Sequence, residues 1–81
     1  LQINPTIQQL RQRFEEIRQQ ELKNFRHQIS ETDWPVVEEI TRRMMNKMLH
    51  SPTTKLRKLF DNPDGIHKIS LIKQLFELDE Q

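Results

Sequence analysis

The chain has 81 residues, a formal net charge of +1 and nearly equal counts of basic and acidic side chains, 13 against 12. That length allows one domain at most, with a core that supplies only modest stability by itself. The absence of Cys removes thiolate nucleophiles, disulfides and cysteine metal sites, and a single Gly, Gly65, leaves no room for a dinucleotide-binding fingerprint or a P-loop.

No apolar run approaches the roughly 18 to 20 residues of a membrane span, and no signal-peptide pattern opens the chain. The lack of Cys is compatible with a reducing compartment, and the expected location is cytoplasmic. The chain begins at Leu1 rather than Met and reads as an excised piece of a longer protein. Its charge is uneven: residues 1–40 carry five basic and seven acidic side chains, and residues 41–81 carry eight and five.

The first helix is expected from Pro5 to about Gln28, with Asn4 as its cap and Pro5 where a missing N–H costs nothing. Ile7, Leu10, Phe14, Ile17, Leu22, Phe25 and Ile29 fall within an arc of roughly 140° at about 100° per residue. Heptad spacing holds only from Ile7 to Ile17, which argues against an extended coiled coil. Arg11, Arg18 and Glu21 project into this stripe. Either their stems cover apolar surface while their heads reach water, or they form interhelical ion pairs in a dimer.

A second helix is expected from near Asp33 to near His50, because a cap at Thr32 or Asp33 places Pro35 safely in the first turn. Trp34, Val36, Val37, Ile40, Met44, Met45, Met48 and Leu49 cover an arc of roughly 220°. A helix that wide is buried on two sides, and so short a chain has few elements for the purpose. A second subunit is the economical answer. Pro52 biases Ser51 away from helix, so a third helix is expected from Pro52 to Phe60 with Ser51 as its cap. Asn62, Pro63, Asp64 and Gly65 form a dense turn signal. A fourth helix is expected from Ile66 to Leu78, with Ile66, Ile69, Ile72, Leu75 and Phe76 on its face.

Few residues suggest chemistry. His27, His50 and His67 lack partners at metal-ligand spacing, and His50 suits a helix C-terminus through the dipole alone. Glu15 and Glu16, like Glu38 and Glu39, point about 100° apart on a helix and make no general acid/base pair. Ser51, Thr53 and Thr54 beside His50 read as turn and capping residues. The basic run Arg42, Arg43, Lys47, Lys55, Arg57 and Lys58 could meet phosphates. It has no interleaved aromatic for stacking bases, and a solvated face is the plainer reading.

The run from Glu39 to Arg57, E-x-T-R-R-x-x-N-K-x-L-H-x-P-T-x-x-L-R, resembles the C-terminal dimerisation domain of the glutamyl-tRNA reductase family. Pro5-Thr6-Ile7, Leu10-Arg11, Glu15-Glu16-Ile17-Arg18 and Glu21-Leu22 look like the end of that family's long spinal helix. Leu75-Phe76-Glu77-Leu78-Asp79-Glu80 is similar to its usual ending. Met44, Met45 and Met48 depart from the expected aliphatic residues, and Trp34-Pro35 is unusual at the helix start.

The resemblance implies that residues 1–30 end the spinal helix and residues 31–81 form the dimerisation domain of an all-α fold, a long N-terminal helix followed by a small bundle of about four helices. It implies a homodimer paired through residues 33–60, within which Val37, Ile40, Thr41, Met44, Met45, Met48, Leu49 and Leu56 are the expected interface residues. The parent enzyme would reduce glutamyl-tRNA to glutamate-1-semialdehyde with NADPH in tetrapyrrole biosynthesis, using a cysteine in another domain. A downstream aminomutase is a further partner to weigh. No catalytic, cofactor-binding or metal residue carries over onto this chain. The competing reading is a tRNA-binding module built on the six basic residues.

Overall fold

The computed structural model describes residues 3–60 and 65–78. Among them are three α-helices and no strand: α1 (Ile3–Phe25), α2 (Trp34–Phe60) and α3 (Gly65–Leu75), with a single 3-10 turn, Arg26–Gln28, after α1. Helices α1 and α2 form a long antiparallel hairpin. The buried cluster combines Ile7 and Leu10 of α1, Leu49 and Leu56 of α2, Ile69 of α3 and Leu78 just beyond it. It therefore lies at the end of the hairpin remote from the α1–α2 connection.

The expected break at Pro52 is absent. One helix runs through it from Trp34 to Phe60, so three helices are seen where about four were expected. An interior proline removes a backbone bond and costs about 3 kcal/mol in an isolated helix. Here Leu49, 2% exposed, and Leu56, 4% exposed, anchor both sides of Pro52 in the same core. The hydroxyl of Thr53 donates to the Leu49 carbonyl at 2.7 Å, and that of Thr54 donates to the His50 carbonyl at 2.9 Å. Burial on both sides of the proline outweighs the local preference.

The other ends are displaced slightly. Helix α1 begins at Ile3, so Asn4 lies inside its first turn and is not its cap. It gives way to the 3-10 turn after Phe25 rather than continuing to Gln28. The backbone N–H of Asp33 donates to Ser30 Oγ at 3.1 Å, and Trp34 N–H donates to the Ser30 carbonyl at 2.9 Å. Pro35 thus occupies the first turn of α2, where it lacks nothing. Of the expected turn at Asn62, Pro63, Asp64 and Gly65, the first three lie outside the described residues, and Gly65 opens α3.

Helix α3 stops at Leu75 rather than Leu78. Leu78 N–H donates to the Lys73 carbonyl at 2.8 Å and Glu77 N–H to the Gln74 carbonyl at 3.3 Å, the paired closing bonds of a Schellman motif. Glu77 holds the left-handed position at φ 55°, where glycine is usual. The strain is tolerated because the reversal carries Leu78 into the core, 8% exposed. Glu77→Gly is therefore expected to stabilise the fold by about 1 kcal/mol, read as a raised urea midpoint with an unchanged m-value.

Candidate functional site

Near the connection, α1 and α2 separate over an open apolar groove of about 720 Å³. Phe14, Ile17, Leu22, Phe25 and Ile29 line the α1 side, and Val37, Thr41, Met44, Met45 and Met48 the α2 side. Leu22 is the only one of these that is fully buried. The groove is continuous with the core, because Phe14 and Met45 also pack against the buried cluster. Phe14 meets Phe76 of the α3 end, with ring centroids 5.9 Å apart and planes tilted by 57°.

Arg18 fixes how the two groove walls sit. Its Nε donates to Thr41 Oγ1 at 2.9 Å and its Nη2 to the Glu38 carbonyl at 2.8 Å, so one side chain joins α1 to α2 twice. Its Nη1 donates to both carboxylate oxygens of Glu15, at 3.1 and 2.9 Å. The Thr41 hydroxyl in turn donates a hydrogen bond to the Val37 carbonyl at 2.9 Å. With only 9% of its side chain exposed, Arg18 neither reaches into water nor waits for a partner subunit. Its bonds close within one chain.

A hydrogen bond from Gln19, helped by the charge and hydrogen bonds of Arg18, holds the Glu15 carboxyl below its ordinary value of 4.5, while burial opposes the shift. At the connection, the Arg26 guanidinium lies 4.1 Å from the Trp34 ring centroid and donates to Glu31 at 2.8 Å. This stacking orients the first turn of α2 against the end of α1.

The residues expected to pair subunits divide into two sets. Ile40, Met44 and Met48 are 52%, 55% and 59% exposed. Val37, Thr41 and Met45 are half-buried along the groove. Leu49 and Leu56 point into the core of their own chain. Sequence reasoning missed Val36, Ile17 and Phe25, which are also about half exposed. The last two belong to the apolar stripe of α1, so periodicity could have found them.

Arg42, Arg43, Lys47, Lys55, Arg57 and Lys58 are all exposed on α2. At about 100° per residue they spread over roughly 220° of its circumference. Arg42 is paired with Glu39. They make no single basic face, and the tRNA-binding reading finds no support. Among the described residues, no group of three or more His, Asp or Glu could hold a metal, and no helix is long and apolar enough to cross a membrane.

A helical hairpin with an open apolar groove along its two long helices has the architecture of an association module. The family description "Glutamyl-tRNAGlu reductase, dimerisation domain" matches residues 1–78. Glutamyl-tRNA reductase of Chlorobaculum parvum is 37% identical over 81 residues, covering 99% of this chain and 19% of that protein. The enzymes of the same name from Chlorobium phaeobacteroides and Chlorobium limicola are each 35% identical, over 100% and 99% of the chain. No solved structure matches. The chain belongs to the glutamyl-tRNA reductase family, as its dimerisation domain, and spans about a fifth of the length of these relatives.

Arg18→Met should lower stability by about 2–3 kcal/mol, since it breaks charge-assisted bonds inside the chain. Glu15 contributes stability above its ordinary value of 4.5 and loses that contribution as pH falls through its lower folded value. The difference in denaturation midpoint between the native chain and Glu15→Gln should accordingly be largest near neutral pH and close in acid.

Proposed function

We propose that this chain pairs with a second copy of itself through the α1–α2 groove, and so holds together two subunits of a glutamyl-tRNA reductase. The observation that carries this reading is the set of half-exposed apolar side chains around the groove: Ile17, Phe25, Val36, Ile40, Met44 and Met48. Surface area supports it. A compact protein of 9.9 kDa exposes about 5,200 Å², whereas this chain exposes 6241 Å². The excess, roughly 1,000 Å², is of the size that one partner contributes to a stable interface, about 800 Å². The radius of gyration, 15.5 Å, likewise exceeds the roughly 12 Å of a compact domain of this length.

In the whole enzyme, α1 is the far end of the helix that links this module to the others. Those modules supply the cysteine that takes the glutamyl group from tRNA and the site for NADPH, which reduces the resulting thioester to glutamate-1-semialdehyde. The setting is cytoplasmic tetrapyrrole synthesis, with a downstream aminomutase consuming the aldehyde. The family membership and the absence of a glycine-rich loop or Cys in this chain support that division of labour.

Sedimentation tests the pairing. The native chain is expected to sediment as a dimer at micromolar concentration. Met44→Glu should give a folded monomer, because residue 44 is 55% exposed within one chain but would bury an unpaired charge in the dimer. The dissociation constant should rise by at least about 30-fold, as for a central interface residue. Leu49→Glu, in the core, should unfold the chain instead. A native chain that stays monomeric and folded throughout the range would refute the reading.

A further inference from the structure

Resting on the pairing proposed above, the geometry points to how the two copies meet: we infer that α2 of one copy crosses α2 of the other steeply, with the crossing point between Ile40 and Met44. Val36, Ile40, Met44 and Met48 are 56%, 52%, 55% and 59% exposed, and each follows the last by four residues. Val37 and Thr41, the other apolar-facing positions at this level, are already half-buried along α1. The row left uncovered is therefore a strict four-residue ridge, which winds across the helix surface instead of following its axis. Two such ridges interdigitate at a crossing angle of about −50°, whereas a side-by-side bundle needs alternating three- and four-residue steps. Alternating steps from Ile40 and Met44 would bring Lys47 into the seam.

Three further observations agree. A two-fold contact is self-complementary, so the same patch must serve both sides, and the midpoint of this ridge falls between Ile40 and Met44. Arg43 and Lys47, both exposed, flank the ridge. Parallel side-by-side helices would set each cation against its own copy, while a steep crossing carries them apart. The open apolar surface also extends from α2 onto Ile17 and Phe25 of α1. A helix crossing at a steep angle passes over both walls of the groove.

The chain has no Cys, so one introduced cysteine reports only on its own copy in the partner. Ile40→Cys, Met44→Cys, Val36→Cys and Met48→Cys are made singly, and each reduced protein is first shown by sedimentation to be a dimer. Under mild oxidation, Ile40→Cys and Met44→Cys are expected to cross-link. Val36→Cys and Met48→Cys should lose cross-linking, alone and when mixed together, because the helices diverge beyond the 4.4–6.8 Å Cα separation that a disulfide spans. Cross-linking of all four, or of the Val36→Cys and Met48→Cys mixture, would mean side-by-side helices and overturn the inference. An intact dimer with no cross-link at either residue 40 or residue 44 would place the contact elsewhere and overturn it as well. A native chain that never dimerises would instead refute the pairing itself.

Discussion

The organising constraint is the mismatch between a long hairpin and a short third helix. Helices α1 and α2 run beside each other for most of their lengths, but α3 has only 11 residues. The buried cluster consequently draws on the start of α1, the end of α2 and the region of α3. At the connection end only Leu22 of the groove lining is fully buried, and no third element of the described chain closes over the apolar side chains there. Apolar surface in contact with water is unfavourable in proportion to its area. The hairpin is thus filled at one end and left open along the groove at the other, while Ile66, Leu71 and Leu75 of α3 also stay exposed.

Arg18 lets that open end keep its shape. An apolar groove with no filling would be expected to collapse or to let its walls slide. The bonds from Arg18 to Thr41 and to the Glu38 carbonyl set the level of α1 against α2, and Glu15 neutralises the guanidinium within the same chain. The Arg26–Trp34 stack does the same at the connection. A preformed surface loses less conformational freedom on binding than one that must order itself, so these polar contacts favour the proposed pairing.

Burial also explains why some residues expected to pair subunits, Leu49 and Leu56, pack within the single chain. Leu49 follows Met48 by one residue, about 100° around the helix, yet one is 2% exposed and the other 59%. A wide apolar arc shows that α2 has more than one neighbour. It does not show which part of the arc faces α1, which faces α3 and which faces another subunit. That allocation depends on the rotation of α2 in the hairpin, and Arg18 and the core leucines fix the rotation together.

Sequence alone determined that the chain is helical, that its second helix has too much apolar surface for one neighbour, and which family its 39–57 motif resembles. These properties rest on composition and on periodicity near 3.6 residues, which survive without knowledge of tertiary neighbours. The tertiary structure decided the rest. It carried α2 through Pro52, because Leu49 and Leu56 are buried on either side of the proline and burial outweighs its local bias. It turned Arg18 inward, because Thr41 and the Glu38 carbonyl lie within reach across the hairpin. It separated Leu49 and Leu56 from Ile40, Met44 and Met48, because α3 reaches one end of the hairpin and not the other.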